Sequence, residues 1–145
     1  MGRIIFIGKT GSGKTTLCQK LNELELKYKK TQSIEIYDNA IDTPGEYIEN
    51  RNLYSALMVT AVDAEVIGLV YDSTEEESYI PPNFSSAFCK EVIGIITKVN
   101  LVDDAKKLDR AVETLKNAGV SKIFKVDTID NVGVMDLLEY LSKFQ

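Results

Sequence analysis

The strongest constraint on the fold is a glycine-rich stretch near the start of the chain. "GKTGSGKTT", residues 8–16, fits the pattern G-x-x-x-x-G-K-[ST]. The preceding "RIIFI", residues 3–7, is short, apolar and β-branched, as buried parallel strands are. The residues that follow place Leu17, Leu21 and Leu24 on one helical stripe. A loop of this composition between a strand and a helix N-terminus is suited to hold phosphate groups, so the chain is predicted to bind a nucleotide.

Each part of this P-loop (residues 8–16) has its own chemical role. Gly8 and Gly13 let the backbone bring its N–H groups close to phosphate oxygens. The Lys14 ammonium is expected to reach the β- and γ-phosphates, which makes it a candidate catalytic residue as well. The Thr15 hydroxyl is expected to be a ligand of Mg²⁺. The predicted phosphate-binding residues are Gly8, Lys9, Thr10, Gly11, Ser12, Gly13, Lys14, Thr15 and Thr16.

Length and composition are those of one globular domain, expected to span residues 1–145. Hydrophobic residues make up 44% of the chain and charged residues 27%, and the net charge of −5 argues against nucleic-acid or anionic-membrane binding. Apolar runs stay below the roughly 20 residues of a membrane span, and the first strand starts too early for a signal peptide. Cys18 and Cys89 are the only cysteines, so a reduced cytoplasmic setting is expected. Cys18 is expected to pack as a small apolar residue on the first helix.

Histidine is absent from the sequence. This absence excludes Ser-His-Asp and Cys-His nucleophilic catalysis and histidine-based zinc sites. Any catalysis must therefore use carboxylates, lysine, hydroxyl groups, backbone amides and a metal ion.

After the P-loop, apolar strand-like runs alternate with helical patterns, which predicts a three-layer α/β fold around a mostly parallel sheet. Ile34 and Ile36 alternate ahead of the turn signal Asp38-Asn39, so one antiparallel hairpin strand is expected before the "AID" strand that ends at Asp42. A single helical turn is expected within residues 85–89. The other strands are predicted at 65–72, 91–98 and 122–126, and the helices at 14–25, 49–64, 103–117 and 131–144.

A second motif, "DTPG" at residues 42–45, has the D-x-x-G form of a GTPase switch II and follows a strand. In that role Asp42 holds Mg²⁺ through water, and the Gly45 N–H senses the γ-phosphate. The alternative is a simple turn around Pro44 and Gly45, since Pro-Gly is common turn chemistry. Its position at a strand end downstream of the P-loop favours the functional interpretation.

Three further residues are candidates near the γ-phosphate. Glu46 stands where small GTPases place a glutamine that orients the attacking water. A carboxylate suits that place poorly, so slow hydrolysis is expected, and a surface residue at a helix N-terminus is the alternative. Arg51 is a candidate for contact with phosphate or with a small carboxylate, and the alternative is a plain surface role. Thr31 is the expected switch I threonine, closing on Mg²⁺ and the γ-phosphate.

The base of the nucleotide is expected to contact two later segments of the chain. "TKVN", residues 97–100, follows an apolar strand and resembles the base-reading motif [NT]-K-x-D, which makes Thr97, Lys98 and Asn100 candidates. "VDT" follows the last strand, where GTPases place a short loop like Ser-Ala-Lys, and it adds Asp127 and Thr128.

Asn100 departs from the aspartate of that motif, and the departure has a chemical meaning. An aspartate accepts two hydrogen bonds from guanine, whereas an amide offers one acceptor and one donor group. An unmatched polar group costs roughly 1–3 kcal/mol, which lowers guanine selectivity by about tenfold to a hundredfold. An amide also pairs both ways with adenine. Relaxed base specificity or use of ATP is therefore expected.

Across nearly its whole length the chain resembles the EutP/PduV family of ethanolamine- and propanediol-utilisation proteins. The resemblance rests on "GKTGSGKTTL", "KKTQ", "NAIDTPGEYIENR", "YSAL", "PPNF" and "VIGIITK", of which "IDTPGEYIENR" is the most specific. It implies a small Ras-like P-loop fold and an association with bacterial microcompartments, whose shell proteins would then be partners. Members of the family are described either as GTPase-like proteins or as acetate kinases that use ATP.

Three functions remain open at this point. The first is a slow nucleotide-dependent switch, and the second is a kinase that moves the γ-phosphate between ATP and acetate. The second needs an acceptor pocket, and no lid or acceptor motif is recognisable in the sequence. The third, a scaffold with a lapsed site, is opposed by the intact Lys14, Thr15 and Asp42. The predicted cofactors are Mg²⁺ and either ATP or GTP.

Overall fold

The computed structural model of the protein describes residues 3–9, 11–29, 39–75, 80–102 and 104–144, apart from the side chains of 26–29 and Glu46. Its strands are β1 Ile4–Ile7, β2 Ala40–Asp42, β3 Val66–Asp72, β4 Glu91–Thr97 and β5 Ile123–Lys125. They form one sheet in the order β2-β1-β3-β4-β5, and every neighbouring pair runs parallel. The predicted parallel α/β architecture is confirmed.

Helices connect these strands within the described residues. Short 3₁₀ turns are found at Arg51–Leu53, Phe84–Ala87 and Val99–Leu101. The turn Phe84–Ala87 matches the single helical turn predicted within residues 85–89. The α-helices are α1 Lys14–Lys29, α2 Glu46–Glu49, α3 Tyr54–Ala61, α4 Ala105–Ala118 and α5 Val134–Leu141.

The sheet separates two hydrophobic clusters, which makes the fold three-layered. Alternate residues of β1 serve opposite faces: Ile4 and Phe6 belong to one cluster, Ile5 and Ile7 to the other. Residues of α1 and α5 fill the first cluster, and residues of α2, α3 and α4 fill the second. Cys18 lies in the first cluster, as its small apolar character predicts. Because both faces are covered, the long central strands are apolar between their end residues rather than alternating.

The predicted antiparallel hairpin strand is not found in the sheet that the structure describes. Its expected positions Ile34 and Ile36 lie outside the described residues, and β2 pairs with β1 in parallel, with Ala40 opposite Ile4. On the outer side of β2, the Ala40 N–H donates to Asn22 Oδ1 at 3.0 Å, and the Asn22 side chain donates to the Ala40 carbonyl at 3.0 Å. The backbone positions that a hairpin partner would use at Ala40 are therefore taken by a side chain of α1.

The helix predicted at 49–64 is broken into shorter pieces. Asn50 has extended backbone angles, φ −125° and ψ 113°, and its side chain accepts a hydrogen bond from the Asn52 N–H. This cap starts the 3₁₀ turn Arg51–Leu53, and α3 begins only after it. The local capping preference of asparagine thus outweighs the helical pattern of the surrounding residues.

Helix α4 has a defined cap at each end. The Asp104 side chain accepts from the Lys106 N–H at the start of the helix, and Gly119 adopts φ 92° just past its end. Among the described helices, none is both long and apolar enough to cross a membrane.

The sheet order also locates the functional edge. Strand β1 lies between β2 and β3. The connection from β1 to β2 and the connection from β2 to β3 therefore run in opposite directions across the sheet. Such a switch point leaves a crevice beyond the carboxyl ends of the strands. The P-loop follows β1, and Thr43 follows β2, at this same edge.

Candidate functional site

The P-loop has the strained backbone that its glycines predict. Gly11 adopts φ +81° and Gly13 φ +96°, a region that residues with a Cβ rarely enter. A Cβ at Gly8 would lie 2.7 Å from the Val70 carbonyl oxygen, so the loop also passes too close to β3 for any other residue. At the far end the Leu17 N–H donates to the Gly13 carbonyl, which joins the loop directly to α1.

Lys14 is a buried cation at the centre of the loop. Its side chain is 5% exposed, and its ammonium donates to the Lys9 carbonyl at 3.0 Å. Burial lowers the pKa of Lys14 below its ordinary value, and the nearby charges of Asp42 and Glu49 oppose this shift in part. An anion that binds beside such a buried cation stabilises its charge, because the anion replaces the lost hydration.

Thr15 and Asp42 meet across the crevice. The Thr15 hydroxyl donates to Asp42 Oδ2 at 2.5 Å, although the two residues come from α1 and β2. Asp42 Oδ1 is buried and has no hydrogen-bond partner among the described residues. A hydroxyl and a carboxylate with an unused oxygen are the hard ligands that Mg²⁺ prefers, and Mg²⁺ takes its other ligands from water and phosphates. The two residues therefore fit a magnesium ion.

A cavity of about 370 Å³ lies between the P-loop and the residues that follow β2. The side chain of Thr43 is buried and donates to the Phe6 carbonyl at 2.7 Å, which fixes that wall of the cavity to β1. The described lining is Gly11, Lys14, Thr15, Asp42, Thr43, Pro44 and Gly45. The two sequence motifs, 8–16 and 42–45, thus form one site.

The remaining predicted residues of this half do not belong to the described lining of the cavity. Thr10 and Thr31 lie outside the described residues, and only the backbone of Glu46 is described, where it begins α2. Arg51 is exposed and does not belong to the described lining of the cavity. Lys9 forms an ion pair with Glu75 at 3.1 Å. In the loop itself Ser12 is buried and Thr16 is exposed.

The residues after β4 attach to the P-loop directly. The Thr97 hydroxyl is buried and donates to the Ser12 carbonyl at 2.6 Å. Lys98 donates from its ammonium to the Gly11 carbonyl at 2.8 Å and adopts φ 59°, a left-handed backbone conformation. Two residues of the predicted base-reading motif therefore hold the phosphate loop in place.

Asp72 completes this connection and was not predicted from the sequence. It is the last residue of β3, is almost fully buried, and accepts from the Lys98 ammonium at 2.7 Å. Burial alone raises the pKa of Asp72, but the hydrogen bonds from Lys98 and Thr74 outweigh it and bring the pKa below its ordinary value. The available signal was a carboxylate ending an otherwise apolar buried strand at the carboxyl edge of the sheet.

We expect Asp72→Asn to destabilise the protein by about 1–2 kcal/mol at neutral pH, because Lys98 is partly exposed and loses only part of a charge-assisted bond. Since the folded-state pKa is below the ordinary value of 3.8, this stabilisation is complete above pH 3.8 and disappears as the pH falls through the folded-state pKa. Urea unfolding of the unmodified protein and of Asp72→Asn, from pH 7 to pH 3, measures the difference in their free energies of unfolding. Asp63→Asn, an exposed acid in the turn before β3, is the control. A difference that stays constant over this range would contradict the assignment.

The two base-side segments differ in their accessibility. Asn100 is exposed in the 3₁₀ turn Val99–Leu101. Asp127 is 3% exposed, and its Oδ1 accepts from the backbone N–H groups of Ile129 and Asp130 at 2.9 and 3.4 Å. Thr128 is half-buried in the same turn. Asp127 thus uses one oxygen in its own turn, whereas the Asn100 side chain is exposed.

The parallel sheet, the P-loop and the Asp42 crevice together define the α/β P-loop NTPase fold. Translation elongation factor SelB from Methanococcus maripaludis, solved in complex with the GTP analogue GppNHp, has the same fold with a TM-score of 0.66. The match covers 98% of this chain but 33% of that one, at 19% sequence identity. The chain therefore corresponds to about a third of that neighbour.

The family is shown by sequence comparison. The family profile PduV-EutP, described as ethanolamine utilisation and propanediol utilisation, matches residues 1–143, and the chain belongs to this family. "Propanediol utilization protein PduV" of Citrobacter freundii is 38% identical over 142 residues, covering 98% of this chain and 94% of the relative. "Probable acetate kinase EutP" of Escherichia coli (strain K12) is 32% identical over 144 residues, covering 98% and 90%.

Proposed function

We propose that the protein binds a Mg²⁺-nucleotide in the crevice between the P-loop and residues 42–45 and works as a slow NTPase or nucleotide-dependent switch. The observation that carries the proposal is the contact between Thr15 and Asp42, with Asp42 Oδ1 buried and without a hydrogen-bond partner in the described part of the chain. In this assignment Thr15 and Asp42 hold the metal ion, which neutralises phosphate charge when bound. Lys14 binds the terminal phosphates, and the P-loop N–H groups surround them.

The same crevice supports slow rather than fast hydrolysis. Among the described residues that line it, Lys14 is the one cation, and none carries a side-chain amide that would orient water. Stabilising the charge of the transferring phosphate therefore depends on Lys14, the metal ion and backbone N–H groups. A cation supplied by a partner protein would accelerate such a site, as arginine fingers do in other NTPases.

Base recognition is assigned to the exposed Asn100, beside the anchored Lys98. An amide at this place matches one of the two guanine donors and matches adenine with both of its groups. We therefore expect the unmodified protein to bind ATP at least as tightly as GTP.

Calorimetric titration of ATP and GTP, each with Mg²⁺, tests the binding and its selectivity. Asn100→Asp is expected to shift the ATP-to-GTP affinity ratio toward GTP by about tenfold to a hundredfold, since a carboxylate accepts both guanine bonds. Asn117→Asp, an exposed asparagine of α4, is the matched control. Tight GTP preference in the unmodified protein would overturn the role of Asn100, and absence of binding to both nucleotides would overturn the proposed function.

Phosphate transfer between ATP and acetate is the competing activity, and it is the one named for the Escherichia coli relative. This activity needs a second cation, or a set of hydrogen-bond donors, that binds the acetate carboxylate on the far side of the γ-phosphate. Arg51, the candidate for that contact, is exposed and absent from the described lining of the crevice. Incubation with Mg²⁺-ATP and acetate separates the two activities, because trapped acetyl phosphate supports the kinase and free phosphate supports hydrolysis.

Placement of the protein at a microcompartment, with shell proteins as partners, is a further part of the proposal. It is supported by the family description, ethanolamine and propanediol utilisation. Co-purification of the protein with isolated microcompartments, with and without bound nucleotide, is the direct test.

A further inference from the structure

Asn22 in α1 takes the place of a neighbouring strand. Its carboxamide donates to the Ala40 carbonyl and accepts from the Ala40 N–H, each at 3.0 Å. Both groups face away from β1, since the ladder to β1 uses the Asn39 carbonyl, which accepts from the Ile4 N–H. A carboxamide carries the same donor and acceptor as a peptide group, so Asn22 makes both hydrogen bonds of a strand residue.

A second side chain of α1 reaches the same point. The Cys18 thiol is buried and donates to the Ala40 carbonyl at 2.7 Å. Thr15, Cys18 and Asn22 follow one another along α1 at spacings of three and four residues, so they share a face of the helix. This face contacts β2 at two alternate residues: Cys18 and Asn22 at Ala40, and Thr15 at Asp42.

These contacts matter because β2 is short. It has three residues, and Asp42 is its last. Its register is fixed by its pairing with β1, by the contacts to α1 and, just past its end, by the Thr43 hydroxyl that donates to the Phe6 carbonyl. A displacement of Ala40 along the strand direction moves Asp42 by the same amount, and metal ligands tolerate little displacement.

We propose that Asn22 is a positioning residue for the metal site: it fixes the register of β2 and thereby holds Asp42 opposite Thr15. This inference rests on the proposed function, in which Thr15 and Asp42 hold Mg²⁺. Asn22 is not part of the described lining of the crevice and acts through the backbone of Ala40. Its specific consequence is therefore the coupling between Mg²⁺ and nucleotide binding, not nucleotide binding as such.

The test compares nucleotide affinity with Mg²⁺ and with EDTA for the full chain and for Asn22→Leu. ATP and GTP are each measured by calorimetry. We expect the enhancement by Mg²⁺ to fall about tenfold in Asn22→Leu, as when residues that orient metal ligands are lost. Affinity in EDTA should stay within about twofold, since the P-loop is untouched. Asn22→Gln, which keeps both groups on a longer stem, should recover part of the enhancement. If Asn22→Leu does not fold, Asn22→Ser, which is too short to reach both groups, replaces it.

Two controls separate positioning from general stability. Leu141→Ala weakens the hydrophobic cluster that α1 shares with α5 and should lower the unfolding temperature without changing the Mg²⁺ enhancement. Asn117→Leu controls for the residue type on an exposed helix face. An unchanged enhancement in Asn22→Leu, beside a normal one in the unmodified protein, overturns this inference alone. No Mg²⁺ effect in the unmodified protein overturns both it and the proposed function.

Discussion

Lys14→Met should weaken ATP and GTP binding by at least about a hundredfold, because two or more charge-assisted hydrogen bonds to phosphate are lost at roughly 1.5–3 kcal/mol each. Lys14 is the one cation among the described residues lining the crevice, so no described neighbour replaces it. Calorimetric titration with Mg²⁺ measures the loss directly. Lys20→Met, in the same helix but outside the described lining of the crevice, is the matched control and should bind nucleotide normally.

The same substitution should leave the nucleotide-free protein at least as stable as before. The pKa of Lys14 is lowered by burial, so the charged form is disfavoured in the folded state and reduces stability at every pH below the folded-state pKa. Methionine has a similar length and needs no hydration. Urea unfolding at pH 7 checks this sign. A variant that loses both binding and several kcal/mol of stability would show that Lys14 has a structural role instead.

The site was largely predictable because its main parts are continuous in sequence. The P-loop and the D-x-x-G motif each carry their chemistry in a few adjacent residues, and both follow recognisable strands. Parallel strands place their carboxyl ends at one edge, which brings Thr15 and Asp42 together. The sequence could not give Asp72 or Asn22 a role, because each acts through a partner far along the chain, Lys98 and Ala40.

The errors have a common cause, which is competition between backbone and side-chain hydrogen bonds. The hairpin prediction assumed that the outer groups of β2 pair with a strand, but at Ala40 they pair with the Asn22 carboxamide. The predicted helix at 49–64 is interrupted because the Asn50 side chain caps a 3₁₀ turn. Asp127 shows the same preference, since its Oδ1 accepts from backbone N–H groups of its own turn; its contact with the base stays a prediction. Asparagine and aspartate offer these local alternatives more readily than other residues do.

The contacts between the residues after β4 and the P-loop show which substitution tests recognition of the nucleotide base most directly. Thr97 and Lys98 are tied to the Ser12 and Gly11 carbonyls, so a change at either residue disturbs the P-loop itself. Asn100 is exposed in the next turn and takes no part in these two contacts. Its substitution should therefore alter selectivity between bases while leaving phosphate binding intact. This makes Asn100→Asp the cleaner probe of base recognition.

Gly133→Ala should have the largest effect on stability, a loss of about 3–5 kcal/mol. Gly133 caps the start of α5 with φ +77°, and the left-handed conformation alone costs an alanine about 1–2 kcal/mol. An added Cβ would also collide with the backbone carbonyl of Lys125 in β5, which no side-chain movement relieves. Helix α5 would have to move away from the sheet, which disturbs the packing of Val134 and Leu137.

Gly11→Ala is the control that isolates the collision. Gly11 has a similar φ of +81°, but nothing lies within 4 Å of an added Cβ, so only the conformational cost of about 1–2 kcal/mol is expected. Urea unfolding of both variants without nucleotide gives the comparison. Equal losses would mean that α5 adapts to the extra methyl group at no cost. A larger loss in Gly133→Ala means that the close approach of Gly133 to the Lys125 carbonyl leaves no room for a Cβ between α5 and β5.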